Sequence, residues 1–115
     1  MLIEDLIMGS KVRSTLSSMA MEGNFLSSPA GVEAALARPA VLLIVDAGNA
    51  RLRPIEAIGE AKAKGVRVLA FGPHTDAAAL SASRQAGADQ VVPRSVFSAR
   101  LAELIESLVR ARAEG

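Results

Sequence analysis

The chain has 115 residues, half of them apolar and 22% charged, with a formal net charge of +1, a profile of globular proteins of one-domain size rather than of disordered or fibrous chains. Lysines and arginines are scattered among acids, and Tyr and Trp are absent, so the sequence carries neither an electrostatic footprint nor a stacking platform for nucleic acid. The lack of Cys excludes disulfides and thiolate chemistry, the longest apolar run, Ala40 to Val45, is too short for a bilayer, and Glu4 and Asp5 stand where a signal peptide would be basic, so a cytoplasmic protein with no membrane partner is expected.

Met1-Leu2-Ile3 reads as the end of a first strand, and the acidic pair Glu4-Asp5 leads into a helix over Leu6 to Met21 that Gly23 closes. Asn24-Phe25-Leu26 is a short second strand, after which Ser28 as cap and Pro29 at the first helical position open a helix through Val32 and Leu36. Ala40 to Val45 is apolar, largely branched and without alternation, the pattern of a strand buried on both faces of a parallel sheet, and it runs into Asp46. A polar loop with Gly48, Asn49, Arg51 and Arg53 follows. Pro54 then opens a helix whose apolar face is expected to be Ile55, Ile58 and Ala61, with Gly65 at its end. Val66 to Phe71 is a fourth strand ended by Gly72-Pro73, Ala77 to Ala86 an alanine-rich helix stopped by Gly87, and Gln90-Val91-Val92 a short fifth strand. An amphipathic helix from about Ser98, striped by Leu101, Leu104, Ile105 and Leu108, ends the sequence.

Strands alternating with helices at this spacing predict one α/β domain over residues 1–115: a flavodoxin-like, three-layer (βα)5 fold with a five-stranded parallel sheet in the order 2-1-3-4-5. Ligands of such sheets bind outside the carboxyl ends of the strands, near the point where strand order reverses. That rule gathers Glu4, Asp5 and Asp46 at one rim. Crowded carboxylates repel unless a cation or a basic side chain joins them. Mg²⁺, which takes a few carboxylates plus water and backbone carbonyls such as that of Gly48, suits the set, and Arg94 beyond the fifth strand supplies a positive side chain.

An acidic pair after the first strand, a lone Asp after the third and a basic residue after the fifth resemble the receiver domains of bacterial response regulators over nearly the whole chain. Ala86-Gly87-Ala88-Asp89 is similar to the receiver turn before the last strand. The resemblance implies that Asp46 is the phosphoacceptor, that Glu4 and Asp5 with Asp46 and the Gly48 backbone hold Mg²⁺, and that Arg94 stands at the receiver's lysine. It further implies a signalling role in a two-component phosphorelay rather than an enzymatic one. The partner would be a histidine kinase, another protein or a second copy of the chain, met through Ala77 to Ser83 and Val96 to Leu108. No output domain is expected in this sequence.

The departures from the receiver pattern are equally specific. Gly72 replaces the Thr or Ser whose hydroxyl contacts the phosphoryl group, Val91 replaces the aromatic switch residue, and Ser95 replaces the proline after the basic residue. Arg94 is a planar fork where receivers carry an ammonium, and Ala47-Gly48-Asn49-Ala50 replaces a Met-Pro loop. The pattern is that of a divergent or pseudo-receiver. Two other readings stay open: a constitutive scaffold in which Glu4, Asp5, Asp46 and Arg94 form only an ion-pair network, and a small flavodoxin-like ligand-binding domain or enzyme using His74 and the acids. His74 and Thr75 lie in the loop after the fourth strand, where Thr75 and Asp76 also read as a helix cap.

Overall fold

Branched apolar runs form strands and segments of helical period form helices in the computed structural model, which describes residues 6–19, 21, 31, 34–35, 41–49 and 52–114. In chain order the elements are α1 (Leu6–Ser18), β1 (Leu42–Asp46), α2 (Pro54–Ala63), β2 (Arg67–Gly72), α3 (Ala77–Gln85), β3 (Gln90–Pro93), α4 (Arg94–Ala99) and α5 (Leu101–Glu114). The expected strands Met1 to Ile3 and Asn24 to Leu26 lie outside the described residues. Of the helix opened by Ser28-Pro29, only Gly31, Ala34 and Ala35 are described, all helical.

The described strands form a parallel sheet in the order β1-β2-β3, the order expected for the third, fourth and fifth strands. Side chains of a strand alternate between faces, and here both faces are apolar. Ile44, Leu69 and Phe71 pack with Met8, Val12 and Leu16 of α1, Phe97 of α4 and the Leu101, Leu104, Ile105 and Leu108 stripe of α5. Leu43, Val45, Val68 and Ala70 pack on the opposite side with Ala57, Ile58 and Ala61 of α2 and with Ala86 and Ala88 at the end of α3. This double burial is why the strands read as continuous apolar runs. Among the described residues, no helix is long and apolar enough to cross a membrane.

The helix ends follow from local chemistry. α2 and α3 close with the same motif: Val66 N–H bonds Ala61 C=O and Gly65 N–H bonds Lys62 C=O, as Ala88 bonds Ser83 and Gly87 bonds Arg84. The motif needs a left-handed residue, supplied by Gly65 at φ 72° and Gly87 at φ 106°. At the other end of α3, Asp76 accepts the Ala79 N–H at 3.2 Å, the helix cap expected there. α2 instead starts from Arg53 in a left-handed conformation, φ 50° and ψ 56°, with no side-chain cap.

Asp89 ties the amino ends of β2 and β3 to α2. Its carboxylate accepts Val68 N–H at 2.7 Å, Lys62 Nζ at 2.8 Å and Arg67 Nη1 at 3.1 Å, while its own N–H donates to Val68 C=O at 3.0 Å. Burial raises the carboxyl's proton affinity, but the bonds from Lys62, Val68 and Arg67 together outweigh it, and the pKa ends below the usual 3.8.

Three expectations need correction. The first helix was expected to reach Met21 but stops at Ser18, with Met19 in a turn and Met21 N–H closing on Leu16 C=O. The buried face of α2 is Pro54, Ala57, Ile58 and Ala61, and Ile55 is 42% exposed, because the i, i+3, i+4, i+7 row starts at Pro54. The last helix is two: Arg100, at φ −125° and ψ 27°, leaves helical geometry between α4 and α5, so helix begins at Arg94, directly after the strand.

Candidate functional site

The carboxyl ends of the strands build the site. Asp46 is the last residue of β1, in register with Phe71 of β2, and Gly72 at the end of β2 is in register with Pro93 of β3. Ala47 N–H extends the ladder by donating to Phe71 C=O at 2.8 Å. The next residue after Pro93 is Arg94, so the sheet itself delivers the basic side chain to the acid.

Asp46 is buried, 7% exposed. Its Oδ1 accepts the Gly48 N–H at 3.0 Å, and its Oδ2 lies 3.9 Å from Arg94 Nη1. That separation is beyond a hydrogen bond, so between these two groups the attraction is through space. The Arg94 guanidinium also sits over the Phe71 ring, 5.6 Å from its centroid, within the range where a ring face attracts a cation. Phe71 in turn stacks on Phe97 of α4, with centroids 4.0 Å apart and planes inclined by 18°. Both rings are fully buried.

The loops after β1 and β2 touch through glycines. A Cβ on Gly48 would lie 2.7 Å from Pro73 Cδ and 3.4 Å from Asp46 Oδ1, so glycine is required for the loop to pass Pro73 and present its N–H to the acid. A Cβ on Gly72 would meet Gly48 N and Leu80 Cδ2 at 3.4 Å, ordinary contact. Gly72 offers no hydroxyl at this position.

The structure therefore brings together Asp46, the Gly48 backbone and Arg94 of the residues singled out from sequence. Of Gly48, it is the N–H that bonds Asp46. Glu4 and Asp5 lie outside the described residues, and among the described residues no three His, Cys, Asp or Glu side chains gather as metal ligands. His74 and Thr75 are exposed in the turn before Asp76. A cavity of about 350 Å³ opens between the first turn of α2 and α3, lined by Ala47, Arg53, Pro54, Ile55, Glu56, Ala79 and Ala82. Its wall is largely apolar, with the charged Arg53 and Glu56 also lining it, and includes neither His74 nor Asp46, so it does not assemble the acid–histidine site of the ligand-binding alternative. Sequence reasoning missed the Phe71–Phe97 stack. The available signal was that these are two of only three phenylalanines in a chain without Tyr or Trp.

The described residues thus form an α/β fold with a parallel sheet, helices on both faces and a buried acid facing an arginine at the carboxyl rim, where such sheets bind their ligands. No protein-family model and no curated protein matches the chain. Among solved structures it is similar to NtrX from Brucella abortus: to one structure in complex with ADP at 15% identity and a TM-score of 0.78, and to another at 16% and 0.79. Each match covers 95% of this chain and, respectively, 26% and 25% of NtrX. The chain thus spans about a quarter of that protein's length, and the likeness is one of fold.

Proposed function

We propose that the chain is a receiver-like signalling module in which Asp46 accepts a phosphoryl group and the response passes to a partner protein by association. The observation that carries the reading is the buried Asp46 carboxylate at the end of β1, faced by Arg94 at 3.9 Å. An acid there is a nucleophile with a positive group beside it to stabilise transferred oxygens. The fold shared with NtrX from Brucella abortus at 15–16% identity supports the same reading. In the full proposal the sheet has the order 2-1-3-4-5 and the protein works in the cytoplasm within a two-component phosphorelay.

The carboxylate of Asp46 is a donor of the kind a hard divalent cation takes. Asp46 would be joined by Glu4, Asp5 and a Gly48 backbone group in holding Mg²⁺, which when bound would neutralise charge on the phosphoryl oxygens. The chain's own residues do the rest: Gly48 N–H orients Oδ1 of Asp46, leaving Oδ2 on the side of Arg94. The partner is a histidine kinase or downstream protein, or a second copy of the chain. The large apolar residues of α5 at Leu101, Leu104, Ile105 and Leu108 are buried, so contact through this helix would use its exposed Glu103, Glu106 and Arg110.

The test is titration with Mg²⁺ and beryllofluoride, followed by amide resonances. Shifts at Asp46 that spread to α3, α4 and α5, and that vanish in Asp46→Asn, are expected. A second reading, a constitutive scaffold, draws on Gly72, where the phosphoryl-contacting hydroxyl is absent; it predicts an unchanged spectrum and partner binding that Asp46→Asn leaves intact.

A further inference from the structure

We infer that Arg94, Phe71 and Phe97 form a relay that carries the charge state of Asp46 into α4 and α5, in place of a hydroxyl and aromatic switch; the inference rests on the reading of Asp46 as the responsive group. The positions where the resemblance would put those two switch residues are Gly72 and Val91, and Val91 packs with Ala86 and Ala88 on the α2–α3 side of the sheet. Asp46 thus needs a different route to the opposite face, and the structure contains a continuous one.

Arg94 is its first link. The guanidinium lies 3.9 Å from Asp46 Oδ2 and 5.6 Å from the Phe71 centroid, so it touches the fields of both a carboxylate and a ring face. A charge-assisted hydrogen bond to an oxygen is about 2.8 Å long, so roughly 1 Å of travel separates the observed spacing from a closed pair. Added negative charge at Asp46 pulls Arg94 along that path and away from Phe71; removal of the charge releases it toward the ring.

The second link is the ring stack. Phe97, fully buried, lies against Phe71 and belongs to the apolar cluster that includes Leu101, Leu104 and Ile105 of α5 with Met8 and Val12 of α1. Arg94 and Phe97 stand on the same short helix, so both the side chain that senses the acid and the ring that meets the core move with α4. The joint is Arg100, outside helical geometry between α4 and α5, where a small rotation of α4 is absorbed without breaking either helix. Packed interiors move between discrete arrangements rather than deforming continuously, which makes the stack a suitable two-state element.

The experiment uses the full chain with carbon-labelled phenylalanine. Only three rings contribute, and Phe25→Leu and Phe71→Leu assign them. Asp46→Asn is expected to shift the Phe71 and Phe97 ring signals, and the Phe97 shift is expected to disappear when Asp46→Asn is made in an Arg94→Gln background. In an Arg94→Lys background, which keeps a cation between acid and ring, the Phe97 shift should persist, separating loss of the relay from misfolding. A Phe97 signal that ignores Asp46→Asn, or that shifts equally with Arg94→Gln present, overturns the relay. Beryllofluoride separates the two proposals. Binding at Asp46 with Phe97 unmoved sinks the relay alone, whereas an Arg94-dependent response to Asp46→Asn with no beryllofluoride binding supports the relay and removes the phosphoacceptor.

Discussion

At Gly48 the chain passes Pro73 closely enough that a Cβ would sit 2.7 Å from the ring, and the obstacle is a loop proline rather than a flexible side-chain tip. Gly48→Ala should therefore cost about 1–3 kcal/mol in urea unfolding, the usual range for overpacking, and should weaken the N–H bond to Asp46. Gly72, with its nearest neighbours at 3.4 Å, should accept Gly72→Ser with a change under about 1 kcal/mol, within reach of ordinary repacking. If Gly72→Ser also strengthens the beryllofluoride response, the missing hydroxyl was limiting. Asp89 makes a different prediction. Its pKa is lowered on folding, so the unfolded chain binds the proton more tightly, and the stabilisation is present above the ordinary carboxyl value of 3.8 and fades as pH falls through the lower folded value. Asp89→Asn should cost about 1–3 kcal/mol at neutral pH, as for removal of charge-assisted bonds at a mostly buried group. The gap between wild type and variant should close on acidification below that range; a gap independent of pH would mean that packing, not charge, holds the clip.

At the element scale, α2 begins from strained backbone. Arg53 holds left-handed angles that Asn and Gly tolerate far better than a long side chain does, and its ion pair with Glu56 is exposed and of little energetic weight. Arg53→Asn, which also supplies a capping oxygen, should raise stability by about 0.5–1 kcal/mol; a loss on thermal or urea unfolding would show that Arg53 makes contacts outweighing the strain. Legibility from sequence follows the same local logic. The run to Asp46, the glycine stops at Gly65 and Gly87, and the Asp76 cap are encoded by neighbouring residues and were readable. The α4–α5 break was not, because Arg100 carries no turn chemistry and its backbone follows from packing that buries Phe97 and Leu101 together. The Asp89 clip was also hidden: Lys62, Arg67 and Asp89 belong to three different segments, and only the parallel register of β2 with β3 makes them neighbours. The same limit applies at the rim, where topology placed Asp46 near Arg94 but no periodicity could predict that Arg94 would share itself with Phe71.

For the described molecule as a whole, β2 has a singular position. It lies between β1 and β3, and Val68, Leu69, Ala70 and Phe71 are all fully buried, alternating between the two apolar clusters. The strand as a whole thus takes part in both layers of packing, and neither layer can separate from the sheet without exposing one of its faces. Amides that require global unfolding to exchange define the most stable cooperative unit of a protein. In native-state hydrogen exchange, Leu69 and Ala70 are expected to be among the slowest amides, with an opening free energy equal to that from urea unfolding and the same denaturant dependence. The α4 amides should open at lower free energy, since that helix is short and jointed at Arg100, and Asp46→Asn should change their protection while leaving Leu69 and Ala70 tied to global stability. If α4 exchanges with the same free energy as β2 in both proteins, the molecule is a single rigid unit, and Arg94 would then hold Asp46 as a fixed structural pair.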